Sequence, residues 1–190
     1  MHSLPINPEL YEENNDSFEN IKKYQAITSG LLYIARMTRP DISIHVNILC
    51  RRTSKPSIAN YRAALGILQY LLTTKQLGIT LHQPTYLSFT IYADASYGGE
   101  GARFQTGVFI TLGDQPIGWY SRRQDIVSLS ITDAEYIAAC EGAKDAAWAR
   151  QFLNEIGTTL IPTLKTDSEG SYNLAQTARC LRRTRRIEHR

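Results

Sequence analysis

Leu87-Ser88-Phe89-Thr90-Ile91-Tyr92-Ala93-Asp94-Ala95-Ser96 alternates along its length. Leu87, Phe89, Ile91 and Ala93 fall on one side, and Ser88, Thr90, Tyr92 and Asp94 on the other. That two-residue period predicts a β-strand with one well-buried face. A carboxylate, Asp94, sits near its end, just before the glycines Gly98, Gly99 and Gly101. An acid at the tip of a core strand either starts a turn or belongs to a site. Which applies depends on whether other acids are delivered to the same place.

Outward from the strand, the chain predicts a mixed α/β layer. Phe104 to Leu112 is β-rich, Gly113-Asp114 suits a hairpin turn, and Ile117 to Arg122 predicts a third strand. A long helix is expected from about Ile131 to Ile156, then a short strand over Pro162 to Asp167, then a helix over Glu169 to Ala178. The order is β-β-β-α-β-α. Ahead of it the chain predicts helices. Apolar residues recur at helical spacing from about Glu19 to Arg36 (Ile21, Tyr24, Ile27, Leu31, Ile34). Arg39-Pro40-Asp41 ends that helix and starts another of mixed pattern, reaching Arg51. After a loop at Thr53 to Ser57, Ala59 to Thr74 predicts a helix burying Tyr61, Ala64, Leu65, Leu68, Leu71 and Leu72. Leu77 to Leu81 is expected as a short strand. The expected organisation is a loose polar arm over 1–19, a helical segment over 20–85 and an α/β domain over 86–190.

Composition sets the bounds. With 190 residues, 43% hydrophobic and 21% charged, the chain has ordinary globular content. No apolar run approaches the roughly 20 residues of a membrane helix, and Met1 to Leu10 lacks the pattern of a signal peptide. Cys50, Cys140 and Cys180 are far apart, which predicts reduced thiols and argues against a zinc knuckle. His2, His45, His82 and His189 are scattered, so no transition-metal cluster is expected. The net charge of +3 is uneven. The first twenty residues hold five acids and no Lys or Arg, whereas Arg179, Arg182, Arg183, Arg185, Arg186 and Arg190 crowd the last twelve. A dense arginine run suits phosphate, through forked charge-assisted hydrogen bonds, but also suits a solvated helix face. Charge alone leaves both readings open.

Three acids fall at element ends. Asp94 ends the first strand and Asp167 the fourth, which should run parallel to an earlier strand after its crossover helix. On the long helix, Glu135 shares a face with Ala138, Ala139, Gly142, Ala146, Ala149, Leu153 and Ile156, so it should point inward toward the strand tips. Each has a plain alternative. Asp94 could start a turn, Asp167 could cap a helix, and Thr132-x-x-Glu135 fits a capping box. Taken singly, caps and turns are far commoner than sites. Converging without basic partners, however, three acids would repel one another unless a divalent ion joined them. Oxygen ligands without His or Cys favour magnesium or manganese, and two such ions a few Å apart can activate a water and stabilise a leaving oxygen.

Several motifs then resemble a known family. They are Tyr92-Ala93-Asp94-Ala95-Ser96, Gln105-Thr106-Gly107, Trp119-Tyr120-Ser121-Arg122-Arg123-Gln124, Ser128 through Tyr136, and Thr166-Asp167-Ser168-Glu169-Gly170-Ser171. In sequence they resemble the ribonuclease H domain of copia-class LTR retrotransposon Pol polyproteins, with a wording closest to fungal members. Arg36 through Ile42 and Tyr61 to Leu72 resemble the connection segment that precedes that domain. The resemblance implies an RNase H-like mixed sheet and cleavage of the RNA strand of RNA–DNA hybrids with two Mg2+ (or Mn2+) ions. It implies Asp94, Glu135 and Asp167 as catalytic metal ligands, and Arg122, Arg123, Arg182, Arg183, Arg185 and Arg186 as phosphate contacts. It also implies partners among other Pol segments (the reverse-transcriptase palm, the integrase), no membrane, and a place in cytoplasmic virus-like particles and the nucleus. Two departures accompany it. The family carries a fourth Asp beyond a final strand, which this sequence does not reach, and no Asp-Asp pair of a polymerase palm occurs. The resemblance thus implies a separated or truncated piece of Pol, either an active ribonuclease or an inert relic that at most binds nucleic acid.

Overall fold

The computed structural model describes residues 16–97 and 103–176. The first fifteen residues of the arm expected over 1–19, Gly98 to Gly101, the end of the last helix at Ala178, and the arginine run with Arg182, Arg183, Arg185 and Arg186 lie outside the described residues. The chain's contacts divide it into two units between Thr80 and Leu81.

In the first unit, α1 (Ile21–Met37) is capped by Asn20, whose side chain accepts from the Lys23 N–H. Tyr24, Thr28, Leu31 and Ala35 form its buried stripe. A 3-10 turn over Pro40–Ile42 leads into α2 (Ser43–Cys50). This helix buries His45, Val46, Ile48 and Leu49 on several sides, which accounts for its mixed sequence pattern. A capping box of Ser57 and Asn60 opens α3 (Ile58–Thr73).

The face of α3 corrects the sequence expectation. Ala59, Asn60, Ala63, Ala64, Ile67 and Tyr70 are buried, while Leu65 is 40% and Leu72 72% exposed. Small residues let α3 approach α1 and α2 closely, and the Tyr70 hydroxyl finds a carboxylate partner in Asp41 at 2.9 Å. Leu68 and Leu71, with Tyr61, pack against the core from its margin, and Leu65 and Leu72 are left outside. Residues 16–19 are also less loose than expected. Ser17 bridges to Ser57, and Phe18 stacks on Tyr61 with centroids 4.1 Å apart.

In the second unit, β1 (Phe89–Tyr97), β2 (Phe104–Leu112) and β3 (Gln115–Arg123) form an antiparallel meander. After α4 (Ile131–Glu155), the short β4 (Thr163–Lys165) pairs parallel to β1, giving the order β3-β2-β1-β4. The last described helix is α5 (Glu169–Gln176). Leu77 to Leu81 is not a strand and joins no sheet among the described residues; the Leu77 N–H donates instead to the Thr74 carbonyl. From Leu81 on, the chain joins the sheet unit: the His82 N–H donates to Gln115 Oε1, and the Gly113 N–H to the Ser88 carbonyl.

The core of this unit is Phe89, Ile91, Ala93 and Val108 against Ala149 and Leu153 of α4. Ile156, expected on the same face, is exposed instead. The helix ends at Glu155, and Gly157, at φ +80°, turns the chain away. α4 lies close to the sheet because Gly142 faces it. A Cβ there would stand 2.7 Å from Leu164 Cδ1 and 3.1 Å from Ala93 Cβ. Gly142→Val is therefore expected to cost about 1–3 kcal/mol through overpacking, read as a lower urea midpoint with an unchanged slope.

Candidate metal centre

β1 is the central strand beside β4, and the two run parallel only over Thr90–Tyr92 and Thr163–Lys165. Past Tyr92 and Lys165 the pairing stops, and this carboxyl end of parallel strands is where open α/β sheets form a ligand-binding cleft. Asp94 lies two residues beyond the last pair on β1, and Asp167 two beyond it on the β4 side. Glu135 comes from the first turns of α4. The three offer carboxylate oxygens that all lie within 4.8 Å of one another.

The alternative readings of each acid can now be tested. The box Thr132-x-x-Glu135 does not form. Ser130 caps α4, its hydroxyl accepting from the Asp133 N–H at 3.1 Å. Glu135 instead turns inward, is only 8% exposed, and accepts the Ala95 N–H at 3.1 Å. That N–H points to the side where β4 has ended, so Glu135 replaces the missing strand partner. Nor does Asp167 cap α5: the Ser168 hydroxyl accepts from the Ser171 N–H at 3.2 Å. Ser130, Ser168 and the Ala95 amide were not singled out from the sequence. Both serines stand at good N-cap positions, a signal that could have freed the two acids from capping roles.

Among the described residues, no Lys or Arg forms an ion pair with any of the three acids. Burial pushes the Glu135 carboxyl above the usual carboxylate range, the Asp94 charge pushes it further, the Ala95 N–H opposes this, and Asp167 adds to the rise. A buried acid beside two others is costly, and a divalent cation relieves it. The donor set fits such an ion: three hard oxygens, no sulfur or imidazole, and solvent-exposed Asp94 and Asp167 that leave room for further ligands.

The sign of the pH effect follows. The folded state holds the Glu135 proton more tightly than the unfolded chain, so its favourable contribution exists at low pH and is lost as pH rises through the raised value. Two unit charges 4.8 Å apart repel by roughly 3 kcal/mol at an effective dielectric near 20, of which solvent leaves about 1 kcal/mol. Glu135→Gln keeps an acceptor for Ala95 and removes the charge. It is expected to raise the metal-free melting temperature by about 2–4 °C at pH 7.5 and to bring no gain at pH 4, measured by calorimetry in EDTA.

Arg122 and Arg123 lie at the same end of the sheet. Thr106 pairs with Ala95 on one side and Arg122 on the other, so Arg122 is two strands, about 10 Å, from the cleft strand. The Arg122 side chain is exposed, packs over Tyr120 at 5.2 Å, and is 3.8 Å from Glu141. Among the described residues, no helix is long and apolar enough to cross a membrane.

This arrangement defines an α/β protein with a ribonuclease H-like mixed sheet and three acids at its strand ends. The chain is 31% identical over 172 residues to the Retrovirus-related Pol polyprotein from transposon RE2 of Arabidopsis thaliana, covering 88% of the chain and 12% of that protein. It is likewise 31% identical over 172 residues to the Retrovirus-related Pol polyprotein from transposon TNT 1-94 of Nicotiana tabacum, covering 88% and 13%. With the Putative transposon Ty5-1 protein of Saccharomyces cerevisiae it shares 33% over 135 residues, covering 70% of the chain and 44% of that protein. No protein-family model and no solved structure matches the chain. The chain belongs with the copia-type retrotransposon Pol polyproteins and spans about an eighth of the length of the two plant relatives.

Proposed function

We propose that the second unit is a ribonuclease H that cleaves the RNA strand of RNA–DNA hybrids during reverse transcription. The observation that carries this reading is the convergence of Asp94, Glu135 and Asp167, from three separate elements, within 4.8 Å, with no ion pair to Lys or Arg among the described residues. Asp94, Glu135 and Asp167 would hold the divalent ions, Mg2+ or Mn2+. When bound, two such ions activate a water and stabilise the leaving oxygen in phosphodiester cleavage. The protein's part is to fix the three carboxylates before substrate arrives. Glu135 is locked by burial and by Ala95, while the exposed aspartates would be open to the substrate phosphate.

Arg122 is exposed at the same end of the sheet, and its planar guanidinium would suit phosphate oxygens. Hybrid selection would rest on minor-groove shape and 2′-hydroxyls rather than on base sequence. Arg122→Ala is expected to weaken hybrid binding about 3–10-fold and to lower the salt slope by about 1, without changing sequence preference. A fluorescence titration at several salt concentrations measures both.

The helical unit would serve as the connection to other Pol segments, such as the polymerase palm and the integrase. This reading puts the protein in cytoplasmic particles and the nucleus, with the reverse-transcription machinery. The direct test incubates the full chain with Mg2+ and a labelled hybrid, beside single-stranded RNA and duplex RNA. Metal-dependent cleavage confined to the hybrid supports the reading. A folded chain that binds the hybrid in a salt-sensitive way but leaves it intact supports the inert alternative instead.

A further inference from the structure

Gln124 takes no part in the chemistry above, yet it is the most fully engaged polar side chain near the cleft. It follows β3, is 4% exposed, and its amide uses every group it has. Nε2 donates to Thr106 Oγ1 at 3.1 Å and to the Ala134 carbonyl at 2.8 Å, and Oε1 accepts from the Ser128 hydroxyl at 3.0 Å. The orientation of the amide is fixed by chemistry. The Ala134 carbonyl can only accept, so the nitrogen must face it. The Gln124 backbone is held as well, its N–H donating to the Phe104 carbonyl at 2.8 Å.

These partners are the neighbours of the acids. Thr106 is the ladder partner of Ala95, which follows Asp94. Ala134 precedes Glu135, and Glu135 accepts from the Ala95 N–H. The contacts close a ring: Ala95 to Thr106 across β1 and β2, Thr106 to Gln124, Gln124 to Ala134, and Glu135 back to Ala95. Beside the packing of Ala134 and Ala138, Gln124 and Glu135 are polar ties between the head of α4 and the sheet. A carboxylate that must also bind an ion cannot serve as its own anchor.

We propose that Gln124 is a positioning residue that sets the separation of Glu135 from Asp94, and so the affinity of the cleft for divalent metal. The proposal rests on the metal-centre reading above. Loss of an outer partner of a metal ligand typically weakens metal binding about 10–100-fold, and the same is expected here. It also predicts a fall in kcat with an unchanged KM for the hybrid, because Gln124 does not meet the substrate.

The test measures Mn2+ binding to the full chain by the electron paramagnetic resonance signal of free Mn2+, alongside thermal melts. Gln124→Met keeps the length and loses the polar groups. It leaves two buried hydroxyls short of a partner, so a stability loss by itself says nothing about position. The triple variant Gln124→Met/Thr106→Val/Ser128→Ala removes those orphaned groups and restores an apolar fit. Thr106→Val alone cuts one leg of the ring with the least change in shape. Mn2+ binding about tenfold weaker or more in the triple variant, with a melt restored toward wild type, supports the proposal. Where the larger variants do not fold, weaker binding by Thr106→Val supports it. Wild-type Mn2+ affinity in a folded triple variant, or failing that in Thr106→Val, overturns it. Asp94→Asn separates the two ideas. If that change leaves Mn2+ binding intact, the metal-centre reading itself fails, and the role of Gln124 falls with it.

Discussion

Replacing Asp94 with asparagine is expected to lower hybrid cleavage about 10³-fold or more and to leave the fold intact. Asp94 is exposed on β1, three residues before the strand's end rather than at its tip as the sequence predicts, and beyond the last β1–β4 pair. Its side chain supports no core contact, so the substitution should not cost stability. Asparagine keeps the shape and removes the charge. A metal centre supplies several kcal/mol of transition-state stabilisation, and each 1.36 kcal/mol is tenfold in rate, which sets the scale. The loss should fall on kcat, with hybrid affinity unchanged or improved because one negative charge near the phosphates is gone. The signature sets it apart from Arg122→Ala, which is expected to act on binding. A gel assay of a labelled hybrid under single-turnover conditions reads the rate directly. Equal cleavage by the wild type and Asp94→Asn would remove Asp94 from the chemistry and with it the three-acid reading.

Much of the sheet unit was legible because its signals are local. The alternation of Phe89, Ile91 and Ala93, the Gly113-Asp114 turn and the long small-residue helix each announce one element. The crossover through α4 brings β4 back parallel to β1, and the acids beyond their last pair meet as a consequence. What escaped was set by partners far along the chain. Counting leucines placed the face of α3 only in part: Ala64 is buried and Tyr61, Leu68 and Leu71 pack against the core, but Leu65 and Leu72 are exposed, while Ala63 is buried for its small size and Asn60 and Tyr70 with their hydrogen bonds. Leu77 to Leu81 had strand composition but no neighbouring strand, and a lone extended segment has nothing to pair with. Gln124 was visible only as part of a motif. Its role depends on Thr106 and Ala134, at separations of 18 and 10 residues. Pattern reading reports which residues want burial, and it is weakest where polar groups bury themselves by satisfying one another.

The Arg39-Pro40-Asp41 motif is the clearest such case, and replacing Asp41 with alanine is expected to destabilise the helical unit by about 2–4 kcal/mol. From the sequence the motif reads as a helix break. In the structure it is a buried clamp. Arg39, 6% exposed, is held in fork geometry by Asp41, with Nε to Oδ1 at 2.9 Å and Nη2 to Oδ2 at 2.8 Å. The same guanidinium donates to the Thr74 carbonyl at 3.1 Å and the Thr74 hydroxyl at 2.9 Å, closing the carboxyl end of α3. Tyr70 donates to Asp41 at 2.9 Å and lies under the guanidinium at 5.3 Å. Burial works against the ionised Asp41, but the hydrogen bonds from Arg39 and Tyr70 prevail and hold its carboxyl below the usual range. Removing that carboxylate strands a buried cation and a tyrosine hydroxyl together. The double variant Arg39→Met/Asp41→Leu removes the charge as well as its partner and should recover part of the loss, since replacing a buried pair by apolar groups is often neutral or better. Both tryptophans, Trp119 and Trp148, belong to the sheet unit, so amide hydrogen exchange over α1 to α3 is the proper readout. Faster exchange there for Asp41→Ala, partly reversed in the double variant, would make the motif a structural lock. Exchange unchanged by Asp41→Ala would mean that the clamp adds nothing to stability, and the motif would then need another explanation.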